Sequence, residues 1–381
     1  MESHTELRPD ELRERAWVEV NRSALVRNHR TVQAAVGSRV KLIPMVKADG
    51  YGLGVSEVVR TLEPEGVFAF GVATAEEGRE LRRLGVTRPV MIHSPVLPES
   101  LEGVVAEGLN VTLSDLGGLQ ALVGVAGRGA GPVQFQIEVD TGMGRSGFPA
   151  EEVGTWWPEV QASMASLALS GIWTHLHSAD TDDLESARRQ VDRFEGVLQS
   201  MGGLPEGCLV HYANSAACLR LPSTFADAAR PGIFLYGGSV GHGAPTPESV
   251  VRVVGRVNLV REVPAGATQG YGATHVAETP ARWATVGLGY GDGLPRALGN
   301  RGHALVRGTK VPLIGRISMD VSVVDITGVG EAGVGDPVTF VGSDGGANLA
   351  LDEVAGLVDT IGYEVLTGLS PRLPRVWAEQ P

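Results

Sequence analysis

The chain has 381 residues, 43% of them hydrophobic and 20% charged, an ordinary balance for a folded protein and more than one small core requires. That length predicts one large barrel with an appendage, or two ordinary domains. A formal net charge of -12 excludes the basic footprint that nucleic acid or an anionic membrane surface requires, which leaves a small molecule as the expected partner.

MESHTELRPDELRER, at the start, is charged throughout and lacks the apolar centre of a secretory leader. No membrane-length apolar run follows, so a cytoplasmic protein is expected. AWVEV at 16–20 is the first strand candidate; it precedes the first barrel helix and could pair with either half of the chain.

Apolar runs of strand length then alternate with amphipathic stretches of helical length as far as residue 240. The strand candidates are VKLIPMVK (40–47), VFAFGV (67–72), PVMIH (89–93), NVTL (110–113), VQFQIEV (133–139), LSGIWTH (169–175) and CLVHY (208–212), with an eighth near 226–236. Between them SEVVRTLE, TAEEGRELRRLG, PESLEGVVAEG and DDLESARRQVDRFEGVLQSMGG repeat apolar residues at three and four, and TAEEGRELRRLG carries a threonine N-cap and a terminal glycine. Eight β/α units with near-continuous apolar strands predict a closed (β/α)8 barrel, an α/β fold, with an open doubly wound sheet as the alternative.

Cys208 and Cys218, the two cysteines, have no metal-ligand spacing and read as buried small hydrophobes; no metal site is expected. Past Gly237 a linker-like run leads to VRVVGRVNLVREV, RWATVGLGY, KVPLIG, MDVSVVDIT and PVTFVG, with turns between them. A mostly β C-terminal domain follows, interrupted by one helix at LDEVAGLVDTIG. With the boundary between 237 and 250, the expected division is a barrel over 1–240 and a β domain over 241–381.

Barrel enzymes place reactive side chains where strands end and βα loops begin. Lys47 closes the first strand candidate, Arg145 follows the fifth, His175 closes the sixth, and Asn214 and Ser215 follow the seventh. A lysine in a low-dielectric barrel mouth has its charged form disfavoured, so its neutral amine becomes a nucleophile toward carbonyls and a place to attach pyridoxal phosphate. Gly50, Gly52 and Gly54 in PMVKADGYGLG would let backbone approach a phosphate, with the Tyr51 hydroxyl as an added donor; on spacing alone they equally describe a tight turn before a helix.

PMVKADGYGLG resembles the pyridoxal-phosphate attachment motif of alanine racemases, and the likeness continues in order along the chain. VDTGMGRSGF (139–148), THLHSAD (174–180), ANSAACLRL (213–221), RPGIFLYG (230–237), GYGAT (270–274), VGLGYGDGLPR (286–296), VPLIGRISMDVSVVDIT (311–327) and IGYEVLTGLSPRLPRV (361–376) are all similar to motifs of that family. The resemblance implies a pyridoxal 5'-phosphate enzyme that interconverts L- and D-alanine and so feeds cell-wall peptide precursors. It also implies a homodimer whose two active sites are shared between subunits.

Carried over by position, Lys47 holds the cofactor as a Schiff base and acts as one catalytic base, and Tyr271 is the opposite base, supplied across the dimer. Racemisation takes a proton from one face of a planar centre and returns one to the other, so two groups must flank it. Arg230 would face the pyridine nitrogen; an arginine donates there without protonating the ring, which weakens the electron sink and favours racemisation over transamination. Tyr51, Ser215, the amides of Gly232 and Ile233, and Tyr363 would hold the phosphate, with Asn214 beside them and His175 against the ring. GIFLYG would be a short helix at the phosphate or a strand, a choice that periodicity leaves open. Arg145 and the Met319 amide would meet the substrate carboxylate, and Tyr290 would line the entrance. Many relatives carry a carbamylated lysine where this chain has Glu138, which is expected to pair with Arg145 as an unmodified anion.

Asp49, Gly50 and Leu53 depart from the family's attachment motif, His177 stands for a smaller residue in THLHSAD, and Gly291 for alanine in GYGDG. They bear on substrate preference and cofactor affinity. A racemase of serine or of several amino acids is the near alternative. A barrel-type pyridoxal-phosphate decarboxylase would use a cysteine motif that Cys208 and Cys218 do not form, and a carrier protein would not need the β domain.

Overall fold

A computed structural model describes residues 14–129 and 132–379; most of the charged N-terminal stretch lies outside them. Eight parallel strands alternate with helices: Lys41–Leu42, Phe70–Val72, Val90–Ile92, Val111–Leu113, Val133–Asp140, Leu167–Trp173, Leu209–Asn214 and Ala228–Arg230. The last strand pairs with the first, and bridges at Met45 with Gly71 and Met91 with Asn110 join the rest, so the sheet closes into a barrel. Several of these strands are buried at every residue, as a parallel sheet covered on both faces requires.

Local chemistry sets the helix starts. Thr74 caps Ala75–Arg83 in a capping box whose other half is the Glu77 carboxylate. Asn21 caps Arg22–Val36 through a 2.9 Å bond from the Ala24 N–H, and Asn214 caps Ser215–Arg220 in the same way at 3.0 Å. The helix Val55–Leu62 turns Val58, Val59 and Leu62 of SEVVRTLE inward, together with Val55 just before that segment.

The C-terminal domain is built around Val251–Val263, which pairs antiparallel with Ala281–Val286, Pro337–Asp344 and Ala16–Asn21. Ala16–Asn21 therefore belongs to the β domain rather than to the barrel, and it pairs in parallel with Arg375–Ala378 on its other edge. Its buried Glu19 is satisfied by Arg252 at 3.0 Å and by the Trp17 indole at 2.8 Å. In place of the single expected helix stand two short ones, Leu351–Gly356 and Gly362–Thr367, separated by a turn in which Asp359 has φ +57°. No helix among the described residues is long and apolar enough to cross a membrane.

Candidate active site

The carboxyl ends of the barrel strands surround a cavity of about 200 Å³. Lys47, Tyr51, Arg145, His175, Asn214, Ser215, Arg230, Gly232 and Ile233 line it from the barrel, and Tyr363 reaches it from the C-terminal domain. Ten of the expected site residues thus meet in one place within one chain.

The first barrel strand is shorter than expected. Its ladder bonds run to the Val46 N–H, which donates to the Gly71 carbonyl at 2.8 Å, and Lys47 then opens a tight turn instead of ending the strand. Ala48, Asp49, Gly50 and Tyr51 all take left-handed angles, with φ between +52° and +62°. Side chains with a Cβ resist that region by about 1–2 kcal/mol each, so contacts from distant elements must hold the turn. Glu77 accepts the Ala48 N–H at 2.6 Å, Asp49 accepts the Val55 N–H at 2.7 Å, and Arg375 donates to the Gly52 carbonyl at 2.8 and 3.0 Å. Gly52 itself has φ +81° and sits against the Leu366 carbonyl where a Cβ would collide.

This turn presents the Lys47 amine to a cationic cavity. Burial first, then Arg145 and Arg230, lower its pKa, while the Glu77 carboxylate pulls it partly back. The amine is therefore closer to its neutral, nucleophilic form than a surface lysine.

Arg230 ends the eighth strand fully enclosed, and three of its five N–H donors are committed to protein acceptors. Nη1 donates to His211 Nδ1 at 2.6 Å and to the His211 carbonyl at 2.8 Å; Nη2 donates to the Thr174 carbonyl at 2.7 Å. Because His211 Nδ1 accepts, its proton sits on Nε2, which donates to Gln136 Oε1 at 2.7 Å. The guanidinium also lies 4.7 Å over the Trp173 ring. Burial lowers Arg230 to about 10, so it stays charged at neutral pH. His175, just past the sixth strand, is lowered to about 3 by burial and then by Arg230, Arg145 and Lys47, and is neutral. Gln190, from the helix Glu185–Ser200, anchors its loop by donating to the His175 carbonyl at 3.0 Å and accepting the His177 N–H at 2.9 Å.

Opposite the third and fourth strands, backbone and hydroxyls converge. GIFLYG is a short 3-10 helix, Ile233–Tyr236, with the strand ending at Arg230, which resolves the open choice. The Gly232 N–H donates to Ser215 Oγ at 2.7 Å, and a Cβ at Gly232 would run into the Tyr51 hydroxyl. Tyr51 stacks on Tyr236 with ring centroids 4.3 Å apart and has Tyr363 at 6.0 Å. Desolvation pushes Tyr51 far up and, with Asp180 and Asp352, Tyr363 to about 12, so both remain phenols able to donate.

Glu138 does not pair directly with Arg145. Buried at 1% exposure on the fifth strand, it accepts from Ser146 at 2.7 Å and Ser114 at 3.4 Å. Arg145, at the exposed mouth, acts on it through space, and burial nevertheless leaves its pKa raised. Gly144 and Gly147, on either side of Arg145, take left-handed angles of φ +68° and +116°.

Tyr271, Tyr290 and Met319 do not line the cavity. They lie in the β domain and are 70%, 40% and 52% exposed. Tyr290 and Met319 share one turn, in which the Gly291 N–H donates to the Met319 carbonyl at 2.7 Å. Burial raises both Cys208 and Cys218 to about 12, neither faces the cavity, and no cluster of metal-ligating residues occurs among the described residues.

Four further residues shape the site without having been anticipated: His93, His211, Gln190 and Glu77. His93 is the last residue of PVMIH and satisfies the strand-end rule that singled out Lys47 and His175. Gln190 and Glu77 act from helices, where no sequence signal separates them from solvated side chains.

Two family models cover most of the chain: alanine racemase, N-terminal domain, over residues 20–240, and alanine racemase, C-terminal domain, over 250–377. Among relatives, the alanine racemase of Desulfosudis oleivorans is 36% identical over 95% of this chain and 96% of its own length. That of Sorangium cellulosum is 38% identical over 95% and 98%. Of solved structures, alanine racemase from E. faecalis superposes with a TM-score of 0.89 at 31% identity, covering 96% of this chain and 98% of that one. Alanine racemase from Bartonella henselae, with covalently bound pyridoxal phosphate, superposes at 0.88 and 29% identity over 96% and 100%. The chain belongs to the alanine racemase family.

Proposed function

We propose that this protein is a pyridoxal-phosphate-dependent racemase of alanine, working as a cytoplasmic homodimer in the supply of D-alanine for peptidoglycan. One observation carries the reading: a lysine of lowered pKa, a committed arginine and a cradle of bare backbone and hydroxyls share one barrel mouth.

The residues fit the cofactor. Three cations, Lys47, Arg145 and Arg230, face a cavity where an anionic phosphate offsets their mutual repulsion. Gly232 leaves room for a phosphate beside Ser215, Tyr51 and Tyr363, and Lys47 supplies the amine for an aldehyde. When bound, pyridoxal phosphate supplies the electron sink that makes the α-proton of an amino acid removable.

This chain's residues do the rest. Lys47 takes or returns the α-proton on one face, and Tyr271 of the partner subunit does so on the other. Arg230, fixed by Thr174 and His211, presents a charged donor that leaves the ring nitrogen unprotonated. Arg145 and the Met319 amide meet the substrate carboxylate, with Met319 arriving from the partner like Tyr271, and Tyr290 borders the way in. The exposure of Tyr271, Met319 and Tyr290 on one domain, away from the cavity, supports a site completed by a second copy.

Complementation tests both halves. Lys47→Ala and Tyr271→Phe should each lower alanine racemisation by at least about 10²–10⁴-fold. Co-expressed, they should recover up to about a quarter of wild-type activity, because half of randomly formed dimers are mixed and each has one site with both bases. Recovery of nothing would refute the shared site, and full activity in either variant alone would refute the two-base assignment.

A further inference from the structure

At the cavity stands a histidine that the reading above leaves without work and whose ring nitrogens are both unsatisfied. His93 directly follows the third barrel strand and lines the cavity beside Ser94, yet neither of its ring nitrogens has a hydrogen-bond partner among the described residues, and neither reaches water. Its carbons are well accommodated: the ring meets Trp173 edge-on at 5.0 Å and lies 6.2 Å from His211. A buried imidazole that forgoes both bonds is disfavoured, and a leucine would fill the same space without that penalty.

Strand order says what it faces. In the closed barrel the third strand lies across from the seventh, and Ser215 and Gly232 follow the seventh and eighth. Lys47 is on the first strand and Arg230 on the eighth. A pyridoxal phosphate with its phosphate at Ser215 and Gly232, its aldehyde carbon at Lys47 and its ring nitrogen at Arg230 has one polar group unassigned to those residues, the phenolic oxygen. That oxygen is carried on the ring edge opposite the phosphate arm, the edge turned toward the third to fifth strands.

We infer that His93 is a cofactor-binding residue: with its ring turned so that a nitrogen now enclosed faces the cavity, it donates an imidazole N–H to the phenolic oxygen of pyridoxal phosphate, sharing that edge with Arg145. The inference rests on the cofactor assignment proposed above. Burial, together with Arg230, Lys47, His175 and Arg145, holds the imidazole neutral, so it brings one donor and no additional cation into a site that already has three. A hydrogen bond to an oxygen that carries negative charge is the stronger kind.

The test is equilibrium titration of the cofactor-stripped full chain with pyridoxal phosphate, followed by absorbance, for wild type and for His93→Leu, His93→Asn and His93→Gln. Circular dichroism and thermal unfolding establish that each variant is folded. His93→Leu should bind about tenfold more weakly or worse, the scale of a bond to a charged group. Its bound cofactor should also absorb more in the shorter-wavelength form, in which the phenolic oxygen keeps its proton. Either His93→Asn or His93→Gln, which restore an N–H, should recover part of both changes. Wild-type affinity and spectrum in His93→Leu would overturn the inference and leave His93 as packing on Trp173. Equal weakening in all three folded variants would also overturn it, since loss of shape would then be the cause. A wild-type chain that takes up no cofactor would instead overturn the assignment on which the inference rests.

Discussion

Acidifying the cofactor-stripped protein should unfold it at a pH where ordinary globular proteins are stable. An unfolded histidine binds its proton near pH 6.5. In the folded cavity His175 is held at about 3, and His93 and His211 are pushed well below their ordinary value by burial and by Arg230. Above about pH 6.5 neither state is protonated at these sites and they add no slope. Below it the unfolded chain gains three protons that the native cavity refuses, so stability falls as pH falls. Each histidine contributes about 1.4 kcal/mol per pH unit, or about 4 kcal/mol per unit together. His29, lowered by burial in the first helix, adds in the same direction, while Glu138, whose pKa is raised, opposes by taking a proton in the native state. Between pH 6.5 and 5 the three cavity histidines remove at most about 5 kcal/mol, a large share of the stability of a typical domain. Urea unfolding at pH 7.5, 6.5 and 5.5 reads it directly, with His93→Leu expected to flatten the acid slope by about 1.4 kcal/mol per unit. Inorganic phosphate should shift the transition to lower pH by offsetting the three cations. A stability flat between pH 6.5 and 5, or a slope unchanged in His93→Leu, would refute the reasoning.

Two substitutions probe the supports of the site. Gly52→Ala combines φ +81° with a collision against the Leu366 carbonyl, and should destabilise the chain by about 1–3 kcal/mol, seen as a lowered thermal midpoint and a slower uptake of cofactor. Glu138→Gln keeps an acceptor for Ser146 but removes the anion near Arg145, so KM for alanine should rise about tenfold with a smaller change in kcat; an unchanged KM would mean that Arg145 is oriented by its loop alone.

The strand-end rule made much of the site legible, because a closed barrel turns the ends of its strands toward one mouth whatever the loops do. It located Lys47, His175, Asn214 and Ser215, and applied to PVMIH it would have located His93 as well. The shape of the Lys47 turn was not legible. Its left-handed angles at Ala48, Asp49 and Tyr51 run against local preference and are held by Glu77 and Arg375, which lie far away in sequence. Nor could periodicity find Tyr271, Met319 or Tyr290, which stand apart from the cavity in a single chain and were named only through family resemblance. Spacing along the chain also gave no sign that the Glu138 carboxylate would be taken up by Ser146 and Ser114 in place of a direct pair with Arg145.

The strand Ala16–Asn21 has a consequence for how the protein is made. It lies between Val251–Val263 and Arg375–Ala378, so the sheet joins a segment made before the barrel with segments made after it. All eight barrel strands are synthesised while this apolar segment, with Trp17, Val18 and Val20 fully enclosed in the finished sheet, has no neighbour to pair with. The nascent chain must therefore carry an unpaired sticky strand through most of its translation, a natural point of attachment for a chaperone. A ribosome-stalled chain ending before Val251 should bind such a holdase through this segment, and the complete chain should not.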